Sequence, residues 1–317
     1  MGFDSLLGNE QLKKNLRGSV GKGHISHFYL ISGPNGSGKR TLARLLAAAA
    51  LCRGEEKPCL GCVACRKVLS GVHPDFITVD EPEKKTVSVD LIRRARADIY
   101  VRPNEAERKV YLLPRAQDIS IEGQNALLKV LEEPPSYGVF LMLTDNPHKL
   151  LPTIRSRCTE LTMGPLPAQT LCDALRQAFP EAAADAVTAA AARSGGYLGQ
   201  AKALLESGNA LSPQSEAFSR SFAAKDGLGL LQLLVPMESW GRERLAAELE
   251  DWTSLLESAL TCRCGVPAPI PAAREIGAAR SPAEMMQAIE CLRKAALYVR
   301  GNVAGAAVCG YLAWALR

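Results

Sequence analysis

The chain has 317 residues, of which 47% are hydrophobic and 22% are charged, and its net charge is +5. This length predicts two or three domains with real cores, and the composition is that of an ordinary globular protein. We find no apolar run of about eighteen residues and no basic-then-apolar start, so we expect neither a membrane span nor a secretion signal. We therefore expect a cytoplasmic protein, whose mild positive charge permits contact with nucleic acid without requiring it.

A glycine-rich segment at residues 33–41 resembles the phosphate-binding pattern G-x-x-x-x-G-K-[ST] with its last letter changed. The candidate nucleotide-binding residues are Gly33, Gly36, Gly38, Lys39, Arg40 and Thr41. The position after the lysine should carry a hydroxyl that ligates magnesium, but it is Arg40, which cannot bind a metal. The loop could still cradle phosphates, so the sequence leaves binding of ATP or ADP open and predicts no hydrolysis.

Short apolar runs alternate with helical stretches as far as residue 161, which is typical of an α/β domain with a parallel sheet. The predicted strands are Phe28–Ser32, Phe76–Val79, Val110–Leu113, Phe140–Thr144 and Cys158–Leu161, and the predicted helices are Arg40–Leu51, Val89–Ile99 and Ser120–Glu133. Later segments are helical, apart from a proline-rich loop at 266–271. We predict an α/β domain at 1–164, a small helical domain at 165–208 and a helical domain at 209–317.

Four of the ten cysteines fall within fourteen residues. These metal candidates are Cys52, Cys59, Cys62 and Cys65. Four thiolates form a closed set without an open position, which indicates structural zinc. Free thiols are one alternative, and an iron–sulfur cluster is another, although its pattern requires a fourth cysteine before a proline. The remaining cysteines, including Cys262 and Cys264, are interpreted as core or loop residues.

The strand predicted at Val110–Leu113 should end in the carboxylates that hold magnesium in a hydrolysing P-loop ATPase. Pro114 and Arg115 stand there instead, and Asp118 follows a turn later. The predicted magnesium site thus lacks both its hydroxyl and its carboxylates, which argues against an autonomous ATPase or kinase. A sequence-specific zinc DNA-binding protein is a further alternative, but the cysteines interrupt an ATPase-like pattern and have no recognition helix beside them.

Several motifs, taken in their order along the chain, resemble those of bacterial clamp-loader AAA+ subunits. They are residues 27–39, the cysteine cluster, the segment NALLKVLEEPP at 125–135, and Ser156-Arg157-Cys158. The resemblance is densest over residues 5–166. It implies an AAA+ P-loop domain with a zinc knuckle, a small helical lid domain, and an all-α collar domain that packs beside others in a hetero-pentameric ring.

The resemblance also assigns roles to single residues. It implies that Arg157 is an arginine finger that reaches the ATP bound by a neighbouring subunit, where its permanent charge would neutralise phosphate oxygens. Asp145-Asn146 matches a phosphate-sensing position, and Leu7-Gly8-Asn9 matches the segment that lines the adenine pocket. Gly199 stands where active relatives carry a second sensing arginine.

Within this family, the gamma/tau type carries a complete P-loop and an acidic strand end, whereas the delta-prime type often carries degenerate versions, which this sequence resembles. That resemblance implies a non-hydrolysing subunit of the DNA polymerase III clamp loader, which helps place the sliding clamp on primed DNA. The implied partners are gamma/tau and delta subunits. The alternative is a gamma/tau-type subunit that itself binds and hydrolyses ATP.

Overall fold

The computed structural model describes residues 2–206, 211–264, 270–301 and 303–316. The chain divides into two compact units, one formed by Met1–Thr170 with Tyr197–Gln200 and the other by Leu171–Gly196 with Ala201–Arg317. The three predicted domains stay a prediction. Their boundary at 208/209 lies outside the described residues, as do residues 266–269 of the predicted proline-rich loop.

The first unit contains a five-stranded parallel sheet. Its strands are β1 (Phe28–Ser32), β2 (Phe76–Thr78), β3 (Lys109–Leu113), β4 (Gly138–Thr144) and β5 (Thr159–Thr162), in the order β2-β3-β4-β1-β5. All five predicted strands are confirmed, with ends that differ by two residues at most. The glycine-rich loop follows β1, which lies between β4 and β5, and the predicted AAA+ P-loop fold is confirmed.

Helices cover both faces of the sheet in the first unit and form the second unit. They are α1 (Glu10–Gly21), α2 (Lys39–Leu51), α3 (Val63–Ser70), α4 (Val89–Asp98), α5 (Ile121–Glu132), α6 (Pro152–Arg155), α7 (Ala168–Ala178), α8 (Ala184–Arg193), α9 (Leu198–Glu206), α10 (Pro213–Ala223), α11 (Gly227–Met237), α12 (Arg242–Arg263), α13 (Pro271–Ala279), α14 (Pro282–Arg300) and α15 (Gly305–Ala315). The three predicted helices of the α/β domain correspond to α2, α4 and α5. No helix within the described ranges could cross a membrane.

Strands β1, β3 and β4 are buried on both faces, which explains why they are continuous apolar runs. Along β1, Tyr29 and Ile31 point into the layer formed by α1 and α2, while Phe28 and Leu30 point into the layer formed by α4 and α5. The strand is thus fixed from both sides, and it holds the glycine-rich loop at its carboxyl end.

The second unit is a helical bundle with its own apolar core. Trp252 is fully buried and stacks on Phe218 with ring centroids 4.3 Å apart. Its indole N–H donates to the buried carboxylate of Glu248 at 2.9 Å, and that carboxylate also accepts from Ser212 and Ser215. The buried charge is therefore stabilised by three hydrogen-bond donors.

Candidate functional site

The glycine-rich loop has the geometry of a phosphate-binding loop. The Gly33 N–H donates to the Thr144 carbonyl at 3.2 Å, which ties the loop to β4. The Lys39 Nζ atom donates to the carbonyls of Gly33 at 2.5 Å and Pro34 at 2.8 Å, so the ammonium lies within the loop. Helix α2 begins at Lys39 and directs its free N–H groups and positive dipole end toward the loop.

The positively charged side chains of Lys39 and Arg40 lie at the loop, and they favour binding of an anion. Burial lowers the pKa of Lys39, an effect opposed by Asp145 at the end of β4 and reinforced by Arg40. Arg40 and Thr41 are exposed in the first turn of α2. The structure thus brings the predicted phosphate-contacting residues together at the amino end of one helix.

The tip of the loop is in backbone contact with Gly199. The Gly199 N–H donates to the Gly36 carbonyl at 2.9 Å, and the Gln200 side-chain amide donates to the Asn35 carbonyl at 3.0 Å. A Cβ on Gly199 would lie 2.5 Å from the Gly36 Cα, and a Cβ on Gly36 would lie 2.6 Å from the Gln200 nitrogen. The contact requires glycine on both sides, so Gly199 has a packing role at the position where the family resemblance implies a sensing arginine.

We expect Gly199→Ala to displace the loop tip, because the added methyl group cannot fit against the Gly36 backbone. Overpacking of this kind costs about 1–3 kcal/mol. Amide exchange across residues 33–41 should become faster. Gly18→Ala is the matched control, since nothing lies within 4 Å of a Cβ there, and unchanged exchange in both variants would contradict the contact.

The end of β3 does not fit a magnesium site. Two nitrogens of Arg115, Nε and Nη2, donate to one carboxylate oxygen of Asp80 at 2.9 and 2.7 Å. The same guanidinium also donates to the carbonyls of Glu81 and Lys84 and lies 3.9 Å from the Asp118 carboxylate. The nearby acids are therefore neutralised by arginine. The sequence alone did not reveal Asp80, which becomes a neighbour only because β2 and β3 are adjacent.

The four predicted cysteine ligands converge on one point. Their sulfur atoms all lie within 4.8 Å of one another. The Sγ atom of Cys52 is 3.5 Å from that of Cys59 and 4.0 Å from that of Cys62, and the sulfurs of Cys59 and Cys65 are 4.0 Å apart. A tetrahedral zinc ion with bonds of about 2.3 Å places its sulfurs about 3.8 Å apart. The cluster therefore fits a metal ion, and no pair in it is a disulfide.

The backbone of the knuckle, residues 52–65, supports this arrangement. The N–H of Gly54 donates to Cys52 Sγ at 3.3 Å, and the N–H of Cys65 donates to Cys62 Sγ at 3.4 Å, which also caps α3. Burial would raise the pKa of Cys62, but backbone donors outweigh it and lower the pKa to about 6. Hydrogen bonds to sulfur of this kind orient metal ligands in structural sites.

A buried carboxylate connects the knuckle to the edge of the sheet. Asp75 is fully buried and accepts backbone N–H groups from Asn104, Glu105 and Ala106. Glu105 in turn pairs with Lys67 of α3 at 2.7 Å. Asp75 thus fixes the loop against which the knuckle packs. Its role was not apparent from the sequence, because its partners lie 29–31 residues away.

We expect Asp75→Asn to destabilise the first unit by about 2–4 kcal/mol, because the new amide N–H₂ must face backbone donors. All three tryptophans, at positions 240, 252 and 314, lie in the second unit. Amide exchange in β2 and β3 is therefore the appropriate measurement. The matched control is Asp90→Asn, whose carboxylate is exposed and, among the residues that the structure describes, forms its ion pair with Arg93. Equal protection in both variants would contradict this role.

Comparison of wild type with Asp75→Asn should also reveal a pH dependence. Burial would raise the pKa of Asp75, but hydrogen bonds from Asn104, Glu105 and Ala106 outweigh it and lower the pKa. The stabilisation is then complete above the unfolded value of about 4 and is lost as the pH falls through the lower folded value. The difference in stability between the two proteins should therefore shrink on acidification below pH of about 4.

Arg157 lies on the surface between α6 and β5. Its side chain is 39% exposed. One guanidinium nitrogen donates to the Thr153 carbonyl at 3.0 Å, and another pairs with Glu132 at 3.1 Å. The neighbouring Arg155 pairs instead with Glu160.

The sheet register separates Arg157 from the phosphate loop of its own chain. Thr159 pairs with Tyr29, and the strands are parallel. Gly33 lies four residues beyond Tyr29, which is about 13 Å along the strand. Arg157 precedes Thr159 and pairs with Glu132, which lies shortly before β4 begins at Gly138, so it lies at the amino ends of the strands, opposite the phosphate loop.

Two further segments that the resemblance singles out lie near the carboxyl ends of β4 and β5. Asp145 and Asn146 directly follow β4, and the Asn146 side chain accepts the His148 N–H at 3.1 Å. Asn9 accepts the Gly164 N–H at 2.9 Å, so this segment packs near the end of β5. Cys262 lies in α12 and Cys264 directly follows it. Among the described residues, only the knuckle cysteines form a potential metal cluster.

Comparisons with known proteins agree with this geometry. The model of the family described as DNA polymerase III, delta subunit, matches residues 8–167. DNA polymerase III subunit tau of Bacillus subtilis is 35% identical over 53% of this chain and 30% of its own length. DNA polymerase III subunit delta' of Pseudomonas aeruginosa is 38% identical over 56% of this chain and 55% of its own length. The chain spans about half or less of these relatives.

Among solved structures, a DNA polymerase III gamma subunit-related protein from Thermotoga maritima aligns at 18% identity and a TM-score of 0.41, over 96% of this chain and 98% of that chain. This likeness carries no inference about function. The family model, however, matches half of the chain and includes the glycine-rich loop, the four cysteines and Arg157. The chain therefore belongs to the DNA polymerase III delta-subunit family of clamp-loader proteins.

Proposed function

We propose that this chain is a delta-prime-type subunit of the DNA polymerase III clamp loader, which does not hydrolyse ATP itself and supplies Arg157 to a neighbouring subunit. Its partners in this proposal are gamma/tau and delta subunits, the sliding clamp and primed DNA. Residues 165–208 would serve as the lid domain and residues 209–317 as the collar through which the subunits assemble.

The position of Arg157 is the observation that carries the proposal. This side chain lies at the amino ends of the parallel strands, whereas the phosphate loop of the same chain lies at their carboxyl ends. An arginine so placed cannot reach a nucleotide on its own loop. The side chain is exposed, and its guanidinium offers several donors to the phosphate of a nucleotide bound by another subunit.

The phosphate loop of this chain supports the second part of the proposal, that the chain does not hydrolyse ATP itself. Arg40 replaces the hydroxyl that would ligate magnesium, and Arg115 occupies the end of β3 and binds Asp80. Phosphoryl transfer in P-loop proteins depends on a metal that bridges the phosphates. The loop can therefore attract an anion without assembling the site that hydrolyses it.

We propose that the four cysteines bind structural zinc. The sulfur spacing and the backbone N–H donors to sulfur support this assignment. Four thiolates would leave no open position for substrate. The ion would hold residues 52–65 in place beside α2 and would take no part in the chemistry.

A gamma/tau-type subunit is the second candidate. Three observations favour it: Lys39 remains in the loop, the loop is tied to β4, and Asp145 lies close enough to affect the pKa of the lysine. In this alternative the chain would bind and hydrolyse ATP in its own loop.

ATP hydrolysis by the isolated chain separates the two candidates. We expect negligible turnover with magnesium, with or without primed DNA, because no hydroxyl or available carboxylate stands at the metal position. Single-turnover reactions with excess protein reveal slow hydrolysis best. Robust turnover that is lost in Lys39→Ala would support the gamma/tau-type alternative and contradict our proposal.

A further inference from the structure

We propose that Glu132 is a positioning residue for Arg157, which it holds in the orientation that meets an anion on a neighbouring subunit. This inference rests on the proposed function of Arg157. Glu132 would not touch the nucleotide. It would act only through the guanidinium with which it pairs.

The guanidinium is held by two acceptors from two different elements. Nη2 of Arg157 donates to the Glu132 carboxylate at 3.1 Å, and Nη1 donates to the Thr153 carbonyl at 3.0 Å. Glu132 is the last residue of α5, and Thr153 belongs to α6. Two fixed acceptors define the plane of the guanidinium. Since arginine has five N–H donors, others remain for a phosphate.

The two acceptors lie on elements that are joined by buried contacts. Gln124 of α5 is only 2% exposed. Its amide group donates to the Lys149 carbonyl at 3.2 Å and accepts the Leu151 N–H at 2.8 Å, which links α5 to the segment that leads into α6. Ile154 of α6 is fully buried. The carboxylate and the carbonyl therefore keep a constant spacing, as a positioning role requires.

An exposed arginine without such acceptors samples many rotamers, and its ordering upon binding weakens the interaction that it makes. The Glu132 pair is itself largely exposed, so it is weak enough for a polyphosphate to share the guanidinium. It can thus orient the charge without sequestering it.

The sequence near the end of α5 supports a role beyond helix stability. Glu132 and Glu133 are both carboxylates at the carboxyl end of a helix, where negative charge opposes the helix dipole. Within the described part of the chain, no ion pair involves Glu133. The two residues therefore share local chemistry and differ in their contact with Arg157, which makes Glu133 the matched control.

The test uses the assembled loader in which only the subunit facing Arg157 retains its phosphate-loop lysine, so that a single site is observed. Glu132→Ala should lower kcat for ATP about two- to fivefold, the range expected for an exposed ion pair, and leave KM unchanged. Glu132→Gln, which keeps an acceptor oxygen, should recover part of the rate. Glu133→Ala should match wild type.

A double-mutant cycle and a spectroscopic readout exclude a merely structural effect. In an Arg157→Ala background, Glu132→Ala should have no additional effect. In the isolated chain, nitrogen-15 relaxation at Arg157 Nε should show faster motion in Glu132→Ala and wild-type motion in Glu133→Ala.

The outcomes distinguish this inference from the function on which it rests. Wild-type rates in Glu132→Ala, a faster rate, or an effect that persists without Arg157 would overturn the positioning role while leaving the finger intact. If Arg157→Ala itself left hydrolysis at the observed site unchanged, the proposed function would fail and the inference with it.

Discussion

Replacement of Arg157 with alanine should lower ATP hydrolysis at the neighbouring site of the assembled loader about 10³-fold, the usual effect of removing an arginine finger. The physical reason is the loss of a permanent positive charge next to the transferring phosphoryl group. The fold should be unaffected, because the side chain is exposed and pairs with the exposed carboxylate of Glu132. The measurement is steady-state phosphate release by a loader with a single active site.

Arg155→Ala is the control for this effect. Arg155 lies two residues away on the same segment, and its guanidinium pairs with Glu160. A general loss of positive charge would affect both variants alike, whereas an arginine finger at position 157 predicts a large effect only for Arg157→Ala. Equal loss in the two variants would contradict a specific finger.

Zinc removal has the second large expected effect. Metal analysis of the purified protein should find about one zinc ion per chain. Structural zinc contributes about 10–16 kcal/mol to the folding of zinc-finger peptides, so its loss should release residues 52–65 from the first unit even if the sheet remains. Chelation or Cys65→Ser should therefore accelerate amide exchange in α3 and promote proteolytic cleavage within the knuckle.

The control for zinc binding is Cys172→Ser, since Cys172 lies on α7 outside the cluster. This variant should retain its zinc and its exchange pattern. Cobalt substitution adds a direct count of the thiolate ligands, because each thiolate strengthens the sulfur-to-cobalt charge-transfer band. A metal-free preparation with full protection across residues 52–70 would show that the cysteines are free thiols.

The parts of the fold that the sequence predicted are those whose signals are local. β1 and β4 are buried on both faces and therefore stand out as apolar runs. Helix α5 is delimited by Ser120, whose hydroxyl accepts the Gly123 N–H, and by the prolines that follow Glu133. The four cysteines were recognised by their spacing alone, and the structure brings them together.

The parts that the sequence did not predict depend on contacts between distant segments. Helix α3 is short and begins with a cap from the sulfur of Cys62. The pairs of Arg115 with Asp80 and of Arg157 with Glu132 join residues 35 and 25 positions apart. Such partners become evident only when the strand order and the helix ends are known. The close approach of Gly199 to Gly36 has no local sequence signal.

Hydrolysis by the reconstituted loader tests the central claim most directly, when Lys39→Ala and Arg157→Ala of this chain are compared in the same assay. If this subunit lends its arginine and performs no hydrolysis of its own, Lys39→Ala should hydrolyse ATP at the wild-type rate and Arg157→Ala should lose the activity of one site. The opposite pattern, with activity lost in Lys39→Ala and kept in Arg157→Ala, would contradict a non-hydrolysing subunit that acts through Arg157.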